Sequence, residues 1–482
     1  MNNSIENQVD RLVKNSALFA IGDFASKVIV FLMVPLYTYA LSTEQYSISD
    51  LITTTVALAS PFFSFVIYEA VMRFTLDKNS DKKVVFSIGF WIFVWGTLLL
   101  TVVSYITFQY ITILRDYWLL FISYYVAFTL YNIVSGFVKG LEHVKLFTIA
   151  GIVHTIIMVV LNLAFLLWLK WGVVGYLLAS IISSFIALGL LVYKDRIFEY
   201  LILPFHIKRK DWKAMLKYAC PMIPNSAMWW INNSSDRYLV TYLVSSAANG
   251  IYSVAYKIPS IFSVLTAIFM QAWQISVVDD FGTKQGTVFF NKTYDFFFRA
   301  SITISCLLIL LSKFLAKFLF LHEFYIAWKF SVVLILGFCF HSISGFLGTI
   351  YTTAKQTNML FVSTSIAAVF NIIFTFIFIK FWGVMGAAIA TSASYFLVYI
   401  IRRIDGKKHI DISSNVFLFA IEIAIMTFQA VVVILDFIDY SWLLSLVSFF
   451  AIIILNRDIT VKLIISIHSK LKKIECGYQK LL

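Results

Sequence analysis

Apolar residues run through this chain in stretches of about twenty or more, separated by short polar gaps, without the every-other-residue alternation of a lipid-facing barrel strand. A hydrocarbon interior offers backbone N–H and C=O groups no partner, so continuous runs of this kind must satisfy themselves as helices. The pattern predicts an all-α integral membrane protein of about fourteen transmembrane helices. They fall near residues 16–40, 46–71, 84–108, 117–138, 146–169, 172–193, 215–244, 248–278, 294–320, 327–351, 358–380, 383–401, 415–435 and 440–456. The first run follows a polar start containing Glu6 and Asp10, holds Asp23 and Lys27, and lacks a small-residue cleavage site. It is therefore expected to be retained as the first span.

The chain also repeats itself. Trp171-Gly172-Val173-Val174-Gly175 returns as Trp382-Gly383-Val384-Met385-Gly386, and Thr38-Tyr39-Ala40-Leu41-Ser42 can be laid over Thr241-Tyr242-Leu243-Val244-Ser245. Both echoes are offset by roughly 200 residues, which encloses an even number of spans, so the copies point the same way across the membrane. The expected organisation is an N-terminal six-helix lobe over 1–193, a basic cytoplasmic linker over 194–214 and a C-terminal six-helix lobe over 215–403. Two additional helices and a basic tail fill 404–482. Pro35 and Pro61 fall in spans one and two, Pro221, Pro224 and Pro259 in spans seven and eight, and Pro204 in a loop. Proline removes a backbone donor and bends a helix, so the leading pair of each half is predicted to be kinked.

Composition agrees with the pattern: 61% of residues are hydrophobic and 13% charged, with a mean hydropathy of +0.87. The net charge of +13 changes meaning once it is mapped. Most of the 38 Lys and Arg lie in alternate loops and in the tail, densest from Lys194 to Lys217. By the positive-inside rule both termini are cytoplasmic, and the basic excess reads as topology and attraction to membrane lipids rather than to nucleic acid. Three of the four cysteines (Cys220, Cys306, Cys339) fall in spans and Cys476 in the tail, with no CxxC spacing, which argues against disulfides and metal sites. HExxH, Walker-type GxxxxGK[ST] and GxSxG are absent, so neither an ATP-driven pump nor a familiar membrane hydrolase is indicated, and no cofactor is expected.

Ionised side chains inside the membrane are the remaining candidates for function, since each costs roughly 2.5–3.5 kcal/mol at mid-span and must face a partner or a wet cavity. Lys27 and Lys257 approach mid-depth from opposite sides, either as a cationic cavity for an anionic cargo or as counter-charges to Asp23 and Asp236. Glu69 and Arg73 are four apart on one helix face, as a structural or gating ion pair. Asp236 and Arg237 are adjacent and cannot face each other, so pairing with other helices is expected near an outer gate. Arg299, one turn after Asp295, is either cavity-lining or snorkelling. His154 and His341 are candidates for ion coupling, against the plainer reading of hydrogen-bonded core residues.

Asn232-Asn233-Ser234-Ser235-Asp236-Arg237-Tyr238, followed by Ala248-Asn249-Gly250-Ile251-Tyr252-Ser253-Val254-Ala255-Tyr256-Lys257-Ile258, resembles helices seven and eight of the bacterial polysaccharide-unit flippases. These are the Wzx-type O-antigen transporters of the multidrug/oligosaccharidyl-lipid/polysaccharide superfamily. Gln271-Ala272-Trp273-Gln274, Arg73-Phe74 and both Trp-Gly-Val-x-Gly segments are similar to further landmarks of that family. The resemblance covers most of the chain. It implies a non-enzymatic transporter that moves an undecaprenyl-pyrophosphate-linked oligosaccharide from the cytoplasmic to the periplasmic leaflet of the inner membrane by alternating access. No nucleotide is consumed, coupling to a proton or sodium gradient is open, and a polysaccharide polymerase and a chain-length regulator are candidate partners. Outward movement of an anion across an inside-negative membrane is favoured by about 2.3 kcal/mol per charge per 100 mV. The chain departs from the family where two asparagines four apart often precede Trp-Gly: here stand Asn371 and Thr375, and in the other half Met158 and Asn162. The alternatives are a cation or drug antiporter or a peptidoglycan-precursor flippase of the same superfamily and, from another class, a membrane polysaccharide polymerase or ligase. No long external loop is predicted to carry a catalytic site for the last of these.

Overall fold

A computed structural model describes residues 26–276, 284–354, 358–413, 415–436 and 440–458; among them every regular element is helical. The chain forms two compact units: the first holds the described residues up to Val254 together with Leu319–Phe324, the second the rest from Ala255.

In the first unit, residues 26–32 are helical and turn at Met33 into α1 (Val34–Ala40), with Pro35 in its first turn. The second helix, α2 (Thr43–Phe63), starts on a capping box in which Ser42 Oγ accepts from Gln45 N and Gln45 Oε1 accepts from Ser42 N. Pro61 lies in its last turn, and α3 (Ile67–Leu76) continues the path at a bend of 59°. Phe65 and Val66 at the bend take left-handed conformations, φ 55° and 53°, a strain of roughly 1–2 kcal/mol each that the packing must hold.

Next come α4 (Lys82–Phe108), α5 (Trp118–Gly140), α6 (Val144–Asn162), a π-helical turn over Leu163–Trp168, and α7 (Gly172–Lys194). One apolar core joins Ile67, Ala70 and Val71 of α3 to Ile88, Ile133 and Phe137, and a second joins Leu51, Ile52 and Val56 of α2 to Leu100, Phe121 and Leu177. The linker after α7 is docked on α4 rather than projecting from it. Trp91 Nε1 donates to the Ile202 carbonyl at 2.9 Å, Ile202 N donates to Ser87 Oγ at 2.8 Å, and Trp212 of α8 (Arg209–Ala219) stacks on Trp95. A break at Cys220-Pro221 leads into α9 (Met222–Leu243) and α10 (Ser246–Ala255). Leu319–Phe324 is held here by Thr38 Oγ1, which donates to the Leu319 carbonyl at 2.8 Å and accepts from Leu321 N at 3.2 Å.

The second unit contains α11 (Lys257–Ser276), α12 (Lys284–Leu319), α13 (Ala327–Thr353), α14 (Asn358–Trp382), α15 (Val384–Gly406), α16 (Val416–Leu435) and α17 (Ser441–Leu455). The most enclosed helix is α13, whose Phe346 ring meets Trp273, Phe290 and Phe297. Gln429 Nε2 of α16 donates to the Cys306 carbonyl and to Ser445, both at 3.1 Å, tying the last two helices to α12. At the turn after α16, hydrogen bonds from Lys313 and then Ser441 hold the Asp436 carboxyl below the usual carboxylate range.

The breaks accord with the proline positions: α1 carries Pro35 in its first turn, α2 ends beyond Pro61, α9 follows Pro221, and α11, after the turn at Tyr256, carries Pro259 in its first turn. The doubled pentapeptide also has a structural counterpart. Gly172 and Gly383 have φ of 54° and 56°, and are the two glycines with positive φ among the described residues. Each sits where one helix ends and the next begins, a reversal that a Cβ would strain.

Among the described residues, nine helices are long and apolar enough to cross a membrane, ten if α2 and α3 form one bent span, with shorter apolar helices at Ser26–Ala40 and Ser441–Leu455. The expected fourteen are not all recovered by this criterion. Helix α9 is 22 residues long and is not among the nine; the polar run Asn232–Arg237 at its centre is what lowers its hydropathy.

Candidate functional site

The polar run of α9 meets α2 and α10 inside the first unit. Gly250 is what lets α10 approach: a Cβ there would lie 1.9 Å from the Thr43 carbonyl at the start of α2. With the backbones so close, Asn249 and Ser253, four apart and hence on one face of α10, reach α2 directly. Asn249 Nδ2 donates to Ser47 Oγ at 2.9 Å, and Ser253 Oγ donates to Asp50 Oδ2 at 2.8 Å.

Arg237 of α9 completes the arrangement by donating from Nη1 to Asp50 Oδ1 at 2.6 Å, with both side chains largely buried. Asp236, fully buried, accepts from Arg237 N at 2.9 Å on one oxygen and from Tyr252 Oη at 2.6 Å on the other. All four carboxylate oxygens of Asp50 and Asp236 therefore receive a hydrogen bond. Charge-assisted bonds of this kind are what permit ionised groups to remain in a poorly hydrated interior. One turn away, Trp230 Nε1 donates to the Thr54 carbonyl at 2.8 Å, and Tyr238 Oη pairs with Thr55 Oγ1 at 2.6 Å. Polar and aromatic groups together fill the seam between α2 and α9.

Other sequence candidates lie elsewhere. Asp23 is outside the described residues, and Lys27 is exposed on the first helical segment. Lys257 opens α11, half-buried. No ion pair joins Glu69 and Arg73 in the described structure; Arg73 instead lines a small cavity with Phe74, Asp77 and Tyr218. His154 Nε2 lies 3.2 Å from Ser184 Oγ, and the His341 ring packs against that of Tyr395 at 4.8 Å.

Arg299 is enclosed by the last two helices: Nε donates to Asn456 Oδ1 at 2.6 Å, Nη2 to the Leu455 carbonyl at 2.7 Å, and Asp295 and Glu422 each approach to 3.5 Å. Asn162 and Asn371, the polar residues before the two Trp-Gly segments, are both fully buried. Asn162 Nδ2 donates to the Met158 carbonyl at 2.8 Å and Asn371 Nδ2 to Thr391 Oγ1 at 3.2 Å.

Three charged residues escaped the sequence reading. Asp50 sits among Ser47, Ser49 and Thr53 near the start of its helix, where polar residues read as the end of a span. Glu422 is a lone carboxylate in an otherwise apolar run, a signal that was available. Arg402, 3% exposed, donates to Ser363 Oγ, the Ser344 carbonyl and Thr364 Oγ1 at 2.9–3.1 Å, and reads from sequence as the polar end of span twelve.

Three solved transporter structures share this fold. A lipid II flippase, MurJ, in an inward closed conformation superposes with a TM-score of 0.69 at 17% identity, over 92% of this chain and 100% of that one. An inward-facing multidrug resistance MATE family transporter gives 0.63 at 13% identity, over 79% and 94%. A Vibrio cholerae MATE transporter gives 0.59 at 12% identity, over 84% and 98%. At these identities the likeness is one of fold. No curated protein sequence matches the chain. Residues 12–274 match the polysaccharide biosynthesis protein family, a stretch that contains α2, α9 and α10 and with them the whole Asp50–Arg237 network, and the chain belongs to that family.

Proposed function

We propose that this membrane transporter is a flippase for an undecaprenyl-pyrophosphate-linked oligosaccharide, delivering it from the cytoplasmic to the periplasmic leaflet of the inner membrane for O-antigen or a related surface polysaccharide. Both termini then face the cytoplasm, as the charge distribution favours. The observation that carries the reading is the coincidence of the family match with a buried charge network on α2, α9 and α10 in which every carboxylate oxygen is hydrogen-bonded. A buried network of this stringency is expensive to build and fixes the mutual placement of three helices. In this reading it holds the arrangement around which access alternates, with the hydrogen bonds of Trp230 and Tyr238 to α2 reinforcing it. Lys27 and Lys257 are the proposed cationic contributors toward a pyrophosphate, and a polymerase and a chain-length regulator the proposed partners downstream.

The test is complementation of a strain lacking its repeat-unit transporter, with lipid-linked oligosaccharide exposed on the outer leaflet as the readout. Restored exposure supports the reading, and normal membrane insertion without exposure rejects it. Cation or drug antiport is the second reading, favoured by the excess of carboxylate over arginine in the network. It predicts instead a gradient-dependent efflux of cationic dyes from the same cells.

A further inference from the structure

The second unit holds a carboxylate that the transport reading does not use. Glu422 lies about 9 Å along α16, is fully buried, and neither of its oxygens accepts a hydrogen bond from the described residues. Its nearest cation is Arg299, whose Nε is 3.5 Å from Glu422 Oε1. The Nε hydrogen is already given to Asn456 Oδ1 at 2.6 Å, and Nη2 is given to the Leu455 carbonyl. Asp295, partly exposed and one turn before Arg299, supplies a second carboxylate at 3.5 Å. With both acids ionised the cluster would bury an excess negative charge on a carboxylate that Arg299 and Asn456 approach without a well-formed hydrogen bond, at an effective cost of several kcal/mol. A carboxyl group in that position lowers the cost by binding a proton.

We infer that Glu422 is a proton-binding site of the membrane domain: its carboxyl carries a proton at neutral pH while Arg299 is engaged by Asn456, and gives it up to water when Arg299 turns to pair with it. The proton adds to a carboxylate oxygen and leaves as hydronium or to buffer, so no other reactant is needed. The movement required is small, because the guanidinium already stands at ion-pair distance without making the hydrogen bond. The groups that set the balance come from every neighbouring element. Asp295, Arg299 and the Cys306 thiol lie on α12, the Cys339 thiol on α13, and Asn456 and the Leu455 carbonyl at the end of α17. The Arg403 guanidinium lies over the Phe419 ring one turn away, 5.5 Å from its centroid. Protonation of Glu422 is thereby linked to the contact that fixes the end of α17 on α12.

The experiment is infrared difference spectroscopy of the full protein in lipid bilayers, titrated over pH without cargo, so that its outcome is independent of the flippase reading. The wild type is expected to show the carbonyl stretch of a protonated carboxylic acid at neutral pH, lost in Glu422→Gln. In Asn456→Ala the freed Arg299 should stabilise the carboxylate and move the loss of the band to lower pH by about one unit or more. Absence of the band in the wild type at neutral pH, or its persistence in Glu422→Gln, would overturn the inference. An unmoved titration in Asn456→Ala would overturn the linkage to α17.

Discussion

Two clusters in this protein are built from the same inventory, one arginine and two carboxylates, and they solve the problem of burying charge differently. Around Arg237, Asp50 and Asp236 each receive two hydrogen bonds, from Arg237, Ser253 and Tyr252. Around Arg299 the guanidinium is given to Asn456 and the Leu455 carbonyl, and Glu422 receives none. The first arrangement stabilises fixed charges and joins α2, α9 and α10. The second leaves one carboxyl to be neutralised by a proton and fixes the end of α17, which stands outside the sequence repeat, on α12. A count of charged residues would not separate the two; the supply of donors does.

Removing the arginine from each cluster is the largest expected perturbation and the first way to break the comparison. Arg237→Gln removes the cation that Asp50 pairs with in a largely buried position, and should lower stability by about 3–5 kcal/mol. Arg299→Gln loses hydrogen bonds beside a neutral Glu422 and should lose only about 1–3 kcal/mol. Equal losses, measured by thermal unfolding in bilayers, would erase the distinction. Removing one carboxylate charge sharpens it: Asp50→Asn should cost about 1.5–3 kcal/mol, the worth of a charge-assisted hydrogen bond, whereas Glu422→Gln replaces a protonated group by a near-isostere and should leave the unfolding midpoint almost unchanged.

A smaller contrast lies between the two copies of the repeated pentapeptide. Alanine at Gly172 or Gly383 must adopt a left-handed backbone at about 1–2 kcal/mol. At Gly172 the new Cβ would also lie 2.9 Å from Gln45 Nε2, disturbing the residue that caps α2, while at Gly383 it meets open space. Gly172→Ala is therefore expected to lower the unfolding midpoint more than Gly383→Ala. The smallest effect is expected at Asp436. Its carboxyl is held below the usual range, so the Lys313 link contributes above the ordinary carboxylate pKa and is lost as pH falls through the lowered one. Both side chains are more than a third exposed, and Lys313→Gln should change stability at neutral pH by less than about 1 kcal/mol.

Much of the architecture was legible in the sequence because it rests on period and composition: continuous apolar runs, prolines at the breaks in α1, α2, α9 and α11, and a repeated Trp-Gly pair whose glycines share a left-handed turn. The candidate site was only half legible. Asp236 and Arg237 stand out in an apolar chain, but Asp50 is recognisable only once Gly250 brings α10 onto the start of α2, and that closeness is a property of three helices rather than of any one segment. Arg299 read from sequence as either cavity-lining or snorkelling. Its surroundings depend on α16 and α17, more than a hundred residues away, and no local pattern encodes them.

The central claim is that the Asp50–Arg237 link is required for transport. It is tested most directly by measuring lipid-linked oligosaccharide exposed on the outer leaflet in cells carrying Asp50→Asn, Arg237→Gln or both, normalised to inserted protein. Loss of about ten- to a hundredfold in each single variant, with no further loss in the double, is the predicted result. Undiminished exposure in Asp50→Asn with the protein normally inserted would contradict it.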